Sequence, residues 1–132
     1  MADQVAAIIG DLARYTEAEV VGLAFDITAT LRETTPRKTG WAAANWVPSI
    51  GVPAPPVPAL ASEATPADVA RAAQQSAAAQ AQLASYTMAE GPVFCTNGVP
   101  YIRRLNDGWS AQAPAAFIQA AIIQAVAQRA QR

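Results

Sequence analysis

Apolar residues recur at helical spacing over the first quarter of the chain. Val5, Ile8, Ile9, Leu12, Tyr15, Val20, Leu23, Ile27 and Leu31 fall on one broad face when residues are advanced by about 100° each. No proline interrupts the run before Pro36, so the pattern predicts one amphipathic helix about 45 Å long. Glu19 and Asp26 sit near the edges of the stripe, while Val21 and Phe25 project from the other side. The C-terminal half of the helix is therefore apolar on two faces, which suits an element that meets two partners. Thr34-Thr35-Pro36 ends it, because proline disfavours helical geometry in the residue before it.

So long an element limits what the rest can build. The chain has 132 residues, the length of one domain. Alanine accounts for 33 residues, whereas Val, Ile, Leu and Phe together supply 27. Large core side chains are scarce, so part of the burial is expected to come from other subunits.

After Gly40, the aromatic and β-branched run Trp41 to Ile50 predicts a strand, at an edge or bent by Pro48. Four prolines in the six residues from Pro53 to Pro58 then force an extended surface path, making residues 51–64 a Pro-rich arm or linker. Thr65-Pro66-Ala67-Asp68 is a helix start, with a capping threonine, proline at the first position and an acid three residues after the cap. The Ala- and Gln-rich helix that follows extends to about Ser85. Val93 to Thr96 predicts a short strand entering an Asn97-Gly98 turn. Tyr101 to Leu105 fits a strand or a helical turn equally. From Pro114, the spacing of Phe117, Ile118, Ala121, Ile122, Ala125 and Val126 predicts a C-terminal helix. The expected fold is α+β in a single domain, 1–132: a long N-terminal helix, a small antiparallel sheet, an Ala-rich middle helix and a C-terminal helix.

Side-chain chemistry is sparse. There is no histidine and one cysteine, so Cys95 lacks the usual thiolate partner and is expected to be a small buried hydrophobe. Lys38 is the only lysine, and nothing nearby would depress its pKa for base catalysis. Carboxylates are scattered without metal-ligand spacing, and neither a GxGxxG segment nor a P-loop occurs. The expectation is a chain without catalysis, cofactor or metal. Nine basic against ten acidic residues argue against a nucleic-acid wrapping face. No signal-like N-terminus and no uncharged apolar run of about 20 residues is present, so a soluble chain made in a reducing cytoplasm is expected.

Phe25, Trp41, Trp46, Tyr101, Trp109 and Phe117 are candidate anchors of the fold or of a subunit contact, the common use of large aromatics. Arg37, Lys38, Arg103, Arg104 and Asp107 are candidate polar contacts, as solvated or intersubunit ion pairs rather than phosphate ligands.

Two stretches are more particular. Thr35-Pro36-Arg37-Lys38-Thr39-Gly40-Trp41-Ala42-Ala43-Ala44-Asn45-Trp46 resembles the TP-x-x-TG-x-x-x-x-x-W segment of the tail-completion, or neck, proteins of long-tailed bacteriophages and prophages. Asn97-Gly98-Val99-Pro100-Tyr101-Ile102, Leu105, Gly108-Trp109-Ser110 and Gln112-Ala113-Pro114 are similar to that family's N-x-x-PYI-x-x-L-x-x-GWS-x-QAP segment. The chain departs from the pattern at Arg37-Lys38 and at Ala115-Ala116, where a glycine is common in the family. The resemblance implies a non-catalytic virion protein, assembled in the host cytoplasm, that forms a ring at the head-tail junction. Such a ring completes the tail's upper end between a head-side connector and the tail-tube or tail-terminator protein, and leaves a channel through which DNA passes without specific binding. A six-fold ring is the preferred expectation and a twelve-fold ring, matched to the portal, the alternative. The competing expectation is a small non-catalytic binding or regulatory module acting as monomer or dimer.

Overall fold

The structure, a computed structural model, describes residues 1–132. In chain order the elements are α1 (Ala2–Thr34), α2 (Trp41–Ala44), β1 (Trp46–Ile50), α3 (Pro66–Leu83), a 3-10 turn (Met88–Glu90), β2 (Val93–Asn97), α4 (Ile102–Asn106) and α5 (Phe117–Ala130). The fold is α+β, with the two strands paired antiparallel from Trp46 opposite Asn97 to Ile50 opposite Val93. No helix is long and apolar enough to cross a membrane.

The C-terminal half of α1 carries the body of the molecule. It packs against both strands and against α5, which runs back along it. Leu31, Trp46 and Ala121 form one buried cluster, joined by Ile27, Cys95, Ile102 and Ile118. Three threonines lie along this half, and each returns its hydroxyl to its own helix: Thr28 to the Ala24 carbonyl at 2.7 Å, Thr30 to Asp26 at 2.8 Å and Thr34 to Thr30 at 2.9 Å. Back-bonding of this kind satisfies a polar group without a partner from another element. At the far end of α5, Arg129 reaches Glu19 and Asp26, both at 3.2 Å.

A second cluster joins α2 to α3 through Trp41, Ala42, Ala44, Ala72 and Val99, with Leu105 and Ile102 packed against it. Ile102 belongs to the margin of both clusters, so α4 ties them together. The capping box of α3 forms as its sequence implies, Asp68 N–H donating to Thr65 Oγ1 at 3.2 Å and Thr65 N–H to Asp68 Oδ2 at 2.8 Å. The Thr65 N–H, and with it the Thr65 hydroxyl, donates to the Asp68 carboxylate and holds it below its ordinary pKa. Ser76, fully buried in α3, donates to the Trp46 carbonyl at 2.7 Å and fixes α3 against β1.

The expected strand over Trp41 to Ile50 is corrected at its start. Trp41–Ala44 is a helical turn, and the strand begins at Trp46. Gly40, at φ 90°, turns the chain through the left-handed region, three alanines favour the helix, and the Asn45 side chain closes it on the Trp41 carbonyl at 2.7 Å. Pro48 fits within β1 because a two-stranded sheet has a free edge on every strand. Tyr101 to Leu105 resolves as a helical turn, α4.

Residues 53–60 of the Pro-rich arm form neither helix nor strand, and the arm is fastened at its middle. Val57 N–H donates to the Gly98 carbonyl at 3.0 Å, and a Cβ at Gly98 would stand 2.7 Å from the Val57 nitrogen. Glycine here permits a close approach of two backbones as well as a turn.

Candidate functional site

The two sequence blocks from Thr35 to Trp46 and from Asn97 to Pro114 meet in space, and side-chain amides hold them together. Gln112 clamps the backbone of Arg37 from both sides, its Oε1 accepting from Arg37 N–H at 2.7 Å and its Nε2 donating to the Arg37 carbonyl at 2.8 Å. Asn97 Nδ2 donates to the Ala42 carbonyl at 2.7 Å, while its Oδ1 accepts from Val99 N–H at 3.1 Å. Within the first block, Trp46 Nε1 donates to Thr35 Oγ1 at 2.7 Å, and Thr35 Oγ1 donates onward to the Leu31 carbonyl. A buried indole N–H therefore has its partner.

Between the blocks and the end of the Pro-rich arm lies a cavity of about 450 Å³, within the size range of small-ligand clefts. Its apolar wall includes Trp41, Leu60, Tyr101 and Leu105, and its rim carries Arg37, Lys38 and Glu63. The rings of Trp41 and Tyr101 are 6.1 Å apart and inclined at 47°. Burial pushes the Tyr101 phenol above its ordinary pKa. Lys38 pairs with Glu63, and that contact raises the ammonium pKa. Both side chains are solvent-exposed, so the pair adds little to stability.

The aromatic candidates separate into two groups. Trp41, Trp46 and Phe117 are buried, and Phe25 is partly so. Trp109 is 72% exposed, so it does not anchor the fold of the subunit; the Arg104 guanidinium lies 5.2 Å from its ring centre. Of the polar candidates, Arg37 donates to the Arg32 carbonyl at 2.7 Å. Arg103, Arg104 and Asp107 are exposed and form no ion pair within the subunit.

Cys95 faces Thr28, with Sγ and Oγ1 3.4 Å apart. Burial raises its thiol pKa and the threonine contact lowers it by less. A thiol so placed is poorly ionised at neutral pH. No group of three His, Cys, Asp or Glu residues converges.

A second surface stands apart from the cavity, at the opposite end of α1. Val5, Ile8, Ile9, Leu12 and Tyr15 are 50%, 59%, 61%, 61% and 67% exposed, although they continue the same stripe that α5 covers further along. The periodicity identified this face; nothing in the periodicity told where its cover would stop. Leu60, Glu63 and Gln112 were not singled out from sequence as site residues. For Gln112 a signal existed, its place in the second block, whereas Leu60 and Glu63 enter through the path of the arm.

Compared with protein-family models, with curated proteins and with solved structures, the chain gives no match.

Proposed function

We propose that this chain is a structural subunit of a bacteriophage or prophage neck, forming a ring that joins head to tail and leaves a channel for DNA. The observation that carries the reading is the uncovered apolar stripe on the N-terminal half of α1. Monomeric proteins rarely leave so large an apolar patch in water, and a subunit that assembles has a use for it. The resemblance of two sequence blocks to the neck family supports the virion setting, and their joint placement around one cavity gives those blocks a common structural purpose. No catalytic role is assigned, and six-fold symmetry remains the preferred arrangement.

Passage of DNA without gripping is part of the same reading. Of nine basic residues, Arg14, Lys38, Arg71, Arg129 and Arg132 pair with carboxylates of the same chain. Little free positive charge is left to neutralise phosphates, each of which would add affinity and salt dependence and retard the genome.

Electron microscopy of the purified protein, and of particles from a phage or prophage deleted for it, tests the proposal. Rings in the first case, and filled heads with separate tails in the second, are the expected results. Normal joined particles without the protein would overturn the neck reading. Duplex binding at near-physiological salt is expected to be weaker than micromolar, and tight binding with a steep salt slope would replace the conduit by a DNA-gripping plug.

A further inference from the structure

We infer that the uncovered stripe on α1 pairs with the same stripe on a second copy of this chain, the N-terminal halves of the two α1 helices lying antiparallel across a two-fold axis. The inference goes beyond the neck reading and does not depend on it.

The spacing of the stripe calls for a helix as its cover. Met1, Val5, Ile8, Leu12 and Tyr15 follow one another at alternating steps of four and three residues, the repeat of a coiled-coil seam whose side chains lock between those of a facing helix. All five are at least half exposed. Asp3, Asp11, Arg14 and Glu17 fall on the sides of the helix turned away from the seam when residues are advanced by about 100° each, and Asp11 is paired with Arg14. An uncharged seam of this kind presents matching knobs and holes to a copy of itself.

The position of α5 decides how that copy runs. From Glu19 onward the same face of α1 is covered by α5, which lies antiparallel to it, Ile118 and Ala121 sharing a cluster with Ile27 and Leu31 while Arg129 reaches Glu19. A second α1 laid parallel and in register would have to pass through the space that α5 fills. Laid antiparallel, it carries its own body away beyond Met1, and the two bodies stand at opposite ends of the pair. The register that sets Val5 against Tyr15 of the second copy, and Ile8 against its Leu12, engages the seam from Val5 to Tyr15. It also starts the second helix level with Ala18, where α5 stops. The copy thus continues the line of α5 in the same direction, and one kind of antiparallel packing covers α1 from end to end.

The area is sufficient for a pair. Val5, Ile8, Ile9, Leu12 and Tyr15 present on the order of 600 Å² per copy, so pairing removes about 1,200 Å² in all, the lower bound for a stable specific interface. Because α1 is already an unbroken helix held by the body, pairing orders little additional chain. A two-fold contact closes on itself. Pairing therefore competes with ring assembly for the same stripe, and the pair is the form of the free chain at concentrations below those at which rings assemble.

Cross-linking of full-length variants tests the arrangement. Val5→Cys and Tyr15→Cys are made at exposed positions, and the unaltered chain, whose single thiol Cys95 is partly buried, is the control. In the antiparallel pair each new thiol lies about 15 Å along the axis from its counterpart in an identical copy, whereas the two different thiols lie side by side. Mild oxidation is expected to double the mass in a mixture of the two variants and in neither variant alone. Sedimentation velocity should show the unaltered chain reaching a doubled mass before any larger species, and Ile8→Asp remaining single with an unchanged thermal melt at low concentration. Cross-linking of each variant with itself would overturn the antiparallel arrangement. A mixture that does not cross-link, or an unaltered chain that stays single at every concentration, would overturn the pairing. Rings from the unaltered chain without the mixed cross-link leave the neck reading standing and remove the pair; a mixed cross-link, with normal joined particles in a phage lacking the protein, does the reverse.

Discussion

The two halves of α1 obey one hydrophobic rule and meet opposite fates. From Leu23 to Leu31 the helix is enclosed by the sheet and α5, and Leu31 is 1% exposed; from Val5 to Tyr15 the same spacing of equally apolar side chains stands in water, Leu12 at 61%. The difference lies in what the rest of the chain can reach. Beyond α1, the elements that pack against it are α5, the two short strands and the single turn α2, enough to cover one half of a 33-residue helix and no more. Amphipathic periodicity specifies which face is apolar, and the supply of covering elements decides whether that face is core or interface.

Alanine substitutions break the comparison most directly. Leu31→Ala should lose about 4 kcal/mol, because Leu31 sits between Trp46 and Ala121, where the surroundings have little freedom to collapse. Leu12→Ala should change subunit stability by less than about 0.5 kcal/mol, as exposed replacements do. Urea unfolding at low protein concentration measures both. Equal losses would mean that the N-terminal half is covered within the subunit, and the contrast between the halves would disappear.

A pair of tryptophans carries the contrast to the motif blocks. Trp46 is buried and bonded through its indole to Thr35, so Trp46→Phe should cost about 2 kcal/mol from the lost hydrogen bond and the volume left behind. Trp109→Phe should leave the melting temperature of the subunit unchanged, since that ring is mostly solvated. If Trp109 contributes in the assembly, its replacement should instead raise the concentration needed to assemble. A large loss of monomer stability at Trp109 would return it to the core.

Much of the fold was legible because its signals are local. The threonine, proline and aspartate at the start of α3 act within one turn of helix, and the break after Thr34 follows from a single proline. The failure at Trp41 to Ala44 has an equally physical origin: aromatic content suggested a strand, while the backbone angle at Gly40 and the Asn45 side-chain bond favoured a turn of helix. The cavity was far less readable. Its rim joins Lys38 to Glu63 and its clamp joins Arg37 to Gln112, contacts fixed by tertiary folding between distant residues. Spacing along the chain holds no record of them.

Gly98 sharpens the account of the arm, the segment that completes the cavity. Gly98→Ala should destabilise the subunit by about 1.5 kcal/mol, because the new Cβ meets the Pro56 and Val57 backbone, which has to move away. The loss should be accompanied by faster amide exchange at Val57, whose N–H donates to Gly98. An unchanged Val57 amide would show that the arm is held elsewhere, and that the cavity wall it forms does not depend on this contact.

A last, small effect runs the other way, and it concerns where the cover over α1 begins. Ala116 caps α5 at φ 63°, the only non-glycine residue of the chain at positive φ. The helix is secured from outside by Asn106, whose carbonyl accepts from Ala116 N–H at 2.6 Å and whose Oδ1 accepts from Ile118 N–H at 3.0 Å. Holding alanine in the left-handed region costs about 1–2 kcal/mol, whereas glycine there loses about 0.5–1 kcal/mol through the greater freedom of its unfolded chain. Ala116→Gly should therefore stabilise the subunit by roughly 0.5 kcal/mol, the difference between those two effects. A small rise in melting temperature, with α5 still ending near Glu19, is the expected result. Destabilisation would mean that the Ala116 side chain is needed for packing and that α5 is positioned over α1 by contact there rather than by the Asn106 cap.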